Sequence, residues 1–340
     1  MSMNKKEYFS IKFNNDKLIF LDQTKIPFEE NYVETDNYER IAEAIEKLEM
    51  RGAPLIGIAA AYGLSLAFKN SDHQKVDEIF DKAYQRLHRT RPTAVNLFFA
   101  LDEIKNVFTK NKNSKNLYLL LLERAKHLHS EDAEKCRKIG ENGLRIFKKK
   151  SKILTHCNTG KLATGGDGTA FNVIKMGFEN NLVEYVYADE TRPLLQGSRL
   201  TAFELEHCGI PFSIQTDSMA ASLMKHGKVD FVVVGADRIA LNGDTANKIG
   251  TLSIAILSAH FNIPFYIAAP TTTIDRSLVS GDDIIIEQRG KEEILKINGV
   301  KITPEYYETY SPAFDVTPSH LITGIITEDD IYTFPYNFIK

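Results

Sequence analysis

The chain has 340 residues, 43% of them hydrophobic and 26% charged, which is the balance of a globular protein long enough for two domains. Its 42 basic and 45 acidic residues leave a net charge of −3, so neither nucleic acid nor an anionic membrane surface is the expected partner. Three widely spaced cysteines, Cys136, Cys157 and Cys208, make neither a disulfide framework nor a paired-ligand zinc pattern, and they fit a reducing compartment. The first residues are polar and carry no apolar signal region, and the longest apolar run, residues 117–122, is too short to span a bilayer. A cytoplasmic protein without metal or cofactor is the expectation.

In chain order, residues 9–13 alternate apolar and polar, and residues 18–21 form a short apolar run. With Asn14-Asn15-Asp16 between them they predict a hairpin. Asp36-Asn37 suits the cap of a helix over 38–50, with Ile41, Ala44, Ile45 and Leu48 on one face. Arg51-Gly52-Ala53-Pro54 then leads into residues 55–68, apolar nearly all round and rich in Ala and Gly, so this helix must be buried. An Arg at a buried helix start suits an anion, because the exposed amides and the dipole favour negative charge there, although an ordinary surface Arg would read the same way. A charged amphipathic helix over 74–88 precedes Arg91-Pro92, which repeats the arrangement ahead of the next helix. Two further helices are expected over 114–129 and 131–148. These elements make a small amino-terminal domain, residues 1–128, mostly helical with a short antiparallel sheet.

From Lys152 the pattern becomes strand and helix in alternation, with strands at 153–155, 185–188, 212–215, 231–234 and 265–268. The helices between them are expected over 170–176, 194–207, 219–225 and 246–261. Phe231-Val232-Val233-Val234 is the continuous apolar strand that a sheet covered on both faces requires. The fold class is therefore α/β, with a Rossmann-like doubly wound parallel sheet in the second domain, residues 129–340.

Polar residues gather where these strands end. After the first come Thr155-His156-Cys157-Asn158-Thr159-Gly160 and a glycine-rich turn; after the second, Asp189-Glu190-Thr191-Arg192-Pro193. Gly235-Ala236-Asp237-Arg238 follows the third apolar stretch, and then Asn242-Gly243-Asp244 and Asn247-Lys248-Ile249-Gly250-Thr251. Open α/β sheets bind ligands at the carboxyl ends of their strands. Cys157, in a polar loop ahead of a helix start, is thus a candidate reactive thiol, although free cysteines are often merely buried. Asp237 follows four core residues, so it should be largely desolvated, which raises a carboxyl toward the range of a general acid. Lys248, read at a helix start, is a candidate anion ligand. No G-x-G-x-x-G, Walker or calcium-loop spacing is present.

Those segments resemble the methylthioribose-1-phosphate isomerase family, aldose–ketose isomerases of methionine salvage. The family shares its fold with regulatory subunits of the translation initiation guanine-exchange factor. The resemblance runs from about Leu18 to Thr327 and includes Arg91-Pro92-Thr93-Ala94-Val95-Asn96-Leu97, Leu194-Leu195-Gln196-Gly197 and Pro312-Ala313-Phe314-Asp315-Val316-Thr317-Pro318. It implies that Cys157 and Asp237 are catalytic. By the same likeness, Arg51, Gly52, Ala53, Arg91, Gln196, Asn247 and Lys248 contact the sugar phosphate, and the protein is a homodimer. Gly165-Gly166-Asp167-Gly168 departs from the family's alanine-glycine-tyrosine-glycine. Related members isomerise 5-deoxyribose-1-phosphate or ribose-1,5-bisphosphate, and others are non-catalytic translation-factor subunits.

Overall fold

The computed structural model describes residues 7–70, 75–91 and 94–338, which form two compact units. The first holds the chain to Arg137 together with Gly160–Gly168; the second holds Lys138–Thr159 and the chain from Thr169 onward. The division lies beyond the boundary at 128 read from the sequence.

The first unit begins with a three-stranded antiparallel sheet, β1 (Ile11–Asn14), β2 (Lys17–Leu21) and β3 (Tyr32–Thr35). Asn15 and Asp16 both take positive φ, 49° and 55°, as a two-residue hairpin turn that matches strand twist requires. Helices α1 (Tyr38–Glu46), α2 (Ala53–Leu66), α3 (Val76–His88), α4 (Val95–Asn111) and α5 (Leu117–Gly143) follow. Asn37 caps α1, its side chain accepting from the Glu39 amide at 2.9 Å. Every residue of α2 from Leu55 to Leu66 is buried, as its all-round apolar sequence demands. Gln74 and Pro92, assigned to helix starts above, lie outside the described residues.

One helix replaces the two expected over 114–148. Ser130, which reads as a break, lies within it, its hydroxyl turned back onto the His127 carbonyl at 2.9 Å.

The second unit is built on a seven-stranded sheet. Its parallel strands are β4 (Ser151–Thr155), β5 (Val183–Asp189), β6 (Phe212–Gln215), β7 (Phe231–Val234), β10 (Phe265–Ala268) and β14 (Gly324–Ile326). Helices α6 (Ala170–Glu179), α7 (Ala202–His207), α8 (Ala220–Lys225) and α9 (Thr251–His260) connect them, with a short π-helical turn, Gly197–Thr201, leading into α7. A small second sheet joins β8 (Arg238–Ile239), β9 (Thr245–Lys248) and β13 (Phe314–Thr317). Between β10 and β13 lie α10 (Glu292–Leu295) and the pair β11 (Lys296–Ile297) and β12 (Val300–Lys301); β15 (Ile331–Tyr332) closes the large sheet as its antiparallel edge.

The spatial order of the parallel strands is β6-β5-β4-β7-β10-β14. Counted along the chain this is 3-2-1-4-5-6, the doubly wound order, and the direction of winding reverses between β4 and β7. Ile153 and Leu154 pair with Phe231 and Val232 across that switch, all four fully or nearly buried. The carboxyl ends of β4 and β7 therefore open side by side where such sheets hold their ligands.

Candidate active site

Cys157 lies two residues beyond the end of β4, 8% exposed, with a left-handed backbone at φ 64°. Thr191, after β5, has the same φ of 64° and is fully buried. Positive φ is uncommon outside glycine and a true outlier for a β-branched residue, each costing about 1–3 kcal/mol unless the surroundings enforce it. Here they do. The Cys157 amide donates to Thr191 Oγ1 at 2.8 Å, and the Thr201 hydroxyl donates to the Cys157 carbonyl at 2.5 Å. Asp217 accepts the Thr191 and Arg192 amides at 2.8 and 2.7 Å. Gly197 passes so close to β5 that a Cβ would stand 1.6 Å from the Asp189 carbonyl oxygen, which excludes every other residue there.

The thiol loop also touches the start of α6. Thr159 reaches it, accepting the Phe171 amide on Oγ1 at 3.0 Å and the Thr169 amide on its carbonyl at 2.8 Å. On the other side of the switch, a Cβ on Gly235 would meet Thr159 Cγ2 at 2.6 Å, so the loops after β4 and β7 are in contact.

His156, beside the thiol, is fully enclosed. Its Nε2 lies 2.9 Å from the Ile249 carbonyl and its Nδ1 3.1 Å from Asp189 Oδ2. A carbonyl only accepts, so Nε2 carries a hydrogen. Burial works against charge on this ring, but the hydrogen bond and charge of Asp189, with Asp217 behind it, hold its pKa above the ordinary imidazole value. Burial also pushes the Asp189 carboxyl upward. Donor atoms of His156, Asp189 and Asp217 fall within 4.8 Å of one another, as metal ligands would. Each is already engaged by the bonds above and by Gln215, whose amide donates to Asp189 Oδ1 at 2.9 Å.

Asp237 follows β7 and leads into β8, its amide donating to the Ala246 carbonyl at 2.9 Å. Its side chain is half-buried rather than fully desolvated, because the apolar cover of β7 ends at Gly235. Asn247 and Lys248 stand on β9, not at a helix start. The backbone turns at Gly250, φ 104°, before α9 begins, and Asp315 accepts the Gly250 and Leu252 amides at 2.8 and 3.1 Å to cap that helix. Asn247 is buried and donates to Thr251 Oγ1 at 3.0 Å. The Lys248 ammonium donates to the Ala313 carbonyl at 2.8 Å and lies 4.5 Å from the centre of the Phe314 ring. Gln196 is 6% exposed, and its Oε1 is a buried acceptor with no hydrogen-bond partner among the described residues.

Arg51, Gly52, Ala53 and Arg91 belong to the first unit. Gly52 caps α2 at φ 98°, and a Cβ there would stand 2.5 Å from the Ala163 Cα and 2.6 Å from its carbonyl oxygen. Ala53 opens α2, with Pro54 in its first turn; Arg51 and Arg91 are half-buried just ahead of α2 and α4. In the same unit Asp167, the departure from the family pattern, pairs with Lys161 at 3.2 Å. Thr191, Thr201 and the His156–Asp189 pair were not singled out from the sequence. Their partners lie 33 to 44 residues away along the chain, so only the fold reveals them.

The model of the Initiation factor 2 subunit family matches residues 49–332. The chain is 52% identical over 332 residues to the methylthioribose-1-phosphate isomerase of Caldicellulosiruptor saccharolyticus, covering 96% of each. Among solved structures, the 5-methylthioribose 1-phosphate isomerase of Pyrococcus horikoshii OT3 superposes with a TM-score of 0.91 at 40% identity, over 97% of this chain and 94% of that one. A structure from A. fulgidus, described as subunit delta of translation initiation factor eIF-2B, gives 0.86 at 41% identity over 97% of each. No helix among the described residues is long and apolar enough to cross a membrane. With the family model spanning most of its length, the chain belongs to the Initiation factor 2 subunit family.

Proposed function

We propose that the chain is a cytoplasmic aldose–ketose isomerase that converts 5-methylthioribose-1-phosphate into 5-methylthioribulose-1-phosphate in methionine salvage. The observation that carries the reading is the placing of Cys157 and Asp237 beyond adjacent strands, β4 and β7, at the switch point of the sheet. The names of relatives that share 40% to 52% of its residues support the same substrate.

The chemistry assigns separate tasks. A phosphate on the anomeric carbon blocks spontaneous ring opening, so an acid must protonate the ring oxygen as the C1–O bond breaks. Asp237 takes that role. The hydrogen on C2 then moves to C1, and the C2 hydroxyl gives up its proton to become the carbonyl. Cys157 either removes the C2 hydrogen as a thiolate or orients the oxygens for a direct hydride shift. Arg51 and Arg91 hold the phosphate, with Gly52 and Ala53 presenting the backbone amides of the α2 start. Lys248 is read as an anion ligand of the second unit, while Gln196 and Asn247 bind the sugar. The unpaired Gln196 Oε1 is an acceptor suited to a hydroxyl. The homodimer implied by the family resemblance is part of this reading and is checked by mass in solution.

A coupled assay of the purified protein with methylthioribose-1-phosphate, 5-deoxyribose-1-phosphate and ribose-1,5-bisphosphate tests it. A preference for the first supports the reading. Preference for either other sugar moves the assignment to a related pentose phosphate, and no turnover of any of the three favours a non-catalytic subunit.

A further inference from the structure

We infer that Thr191 is a positioning residue for Cys157: its hydroxyl sets the left-handed backbone from which the thiol projects. The inference rests on the reading of Cys157 as the reacting thiol. Beyond Thr155 the ladder of β4 ends, and the buried Cys157 amide has no strand to donate to. Thr191 Oγ1 accepts the hydrogen bond of that amide at 2.8 Å and donates its own to the Asp189 carbonyl at 3.0 Å. A serine supplies the same hydroxyl; a valine has the same shape and supplies none. Thr191 is itself held at positive φ, by Asp217 on its amide and by the Leu195 amide, which donates to its carbonyl at 2.8 Å. A β-branched residue is a poor choice for such a backbone, where glycine would sit without strain. Its side chain therefore has a use that outweighs the strain, and its bond to the Cys157 amide is a use that reaches the candidate reacting residue. Thr201 completes the hold from the carbonyl side.

Three variants at Thr191 and two readouts separate positioning from simple stability. Thr191→Val should lower kcat about five- to a hundredfold, the range for leaving a buried amide unsatisfied, with KM changed less than about twofold. Thr191→Ser should stay within about threefold of wild type. Thr191→Gly should lose turnover like the valine variant even though it relieves the backbone. The second readout needs no substrate: the rate at which iodoacetamide alkylates Cys157, located by peptide mapping, should change in the valine and glycine variants and not in the serine variant. If Thr191→Val does not fold, Thr201→Val tests the other half of the hold by the same two measurements. Wild-type kcat and alkylation rate in a folded valine variant, or a serine variant as impaired as the valine one, would overturn the inference. Absence of turnover in the wild-type protein would instead reject the reading of Cys157 as a reacting thiol, while the alkylation series would still report on Thr191.

Discussion

His156 Nδ1 and Asp189 Oδ2 meet at 3.1 Å with neither side chain exposed to solvent, directly beside the candidate thiol. Two titratable groups buried together cannot both take their ordinary states cheaply; a proton shared between them satisfies both. The pair also ties together three loops, since His156 belongs to the loop after β4, Asp189 ends β5, and the Ile249 carbonyl leads into α9.

The first prediction concerns pH. His156 has its pKa raised on folding, despite its burial, chiefly by Asp189 and further by Asp217; Asp315 also faces the ring and is raised by its own burial. A raised value means that the folded state binds the proton more tightly than the unfolded one. Its contribution to stability is therefore complete below about pH 6.5, the ordinary imidazole value, and is lost as pH rises through the folded value. Asp189→Asn removes the main stabilising charge and leaves burial to dominate, so the fall in stability with pH should flatten or reverse. Urea denaturation at several pH values between 5 and 9 checks this; identical slopes in both proteins would show that the pair is not the source.

The second prediction divides binding from chemistry. Asp237→Asn keeps shape but cannot transfer a proton, so kcat should fall by about 10²- to 10⁴-fold. Arg91→Ala should mainly raise KM, because a phosphate contact is shared by ground and transition states. Steady-state kinetics on the two variants decide it, and near-normal turnover in Asp237→Asn would reject the acid role.

How much of this was legible in the sequence follows from local contrast. All five strands read from residues 153–268 are present, because each is a short apolar run ending at polar residues. From Ala246 onward β9 reads as helix in the sequence: Thr245-Ala246-Asn247-Lys248 has no apolar alternation, and its strand partners, β8 and β13, are short or distant. β3, Tyr32-Val33-Glu34-Thr35, gives no apolar run, and β14 has only three residues. The residues named for the site came from motifs, whereas the side chains that hold Cys157 are threonines whose role depends on a contact no local pattern encodes.

A third prediction follows from Gly52, where positive φ and the close approach of Ala163 forbid a side chain. Gly52→Ala should destabilise by about 2 kcal/mol or more, since it adds both backbone strain and overlap with main-chain atoms. Gly290, with nothing within 4 Å of its would-be Cβ, is the control, and its alanine variant should differ little from wild type. Equal denaturation midpoints for the two variants would contradict the role given to Gly52.

The last prediction decides what Cys157 does. If the thiolate removes the C2 hydrogen as a proton, that proton can exchange with solvent before it reaches C1; if hydride shifts directly, it cannot. The structure supplies features suited to each route. Thr159 brings the thiol loop against the start of α6, where the free amides and the dipole favour negative charge. Cys157 is also 8% exposed beside the apolar strands β4 and β7, where water is scarce and a base can return the same proton it removed. Substrate with deuterium at C2, turned over in ordinary water, distinguishes them when read together with Cys157→Ser. Loss of label to solvent, with the serine variant nearly inactive, establishes the base. Full retention of label at C1, with the serine variant keeping substantial activity, sinks that assignment and leaves Cys157 to orient the polarised oxygens. Full retention with an inactive serine variant identifies a shielded base, and in that case retention should weaken in Thr191→Val, where the looser thiol loop admits water.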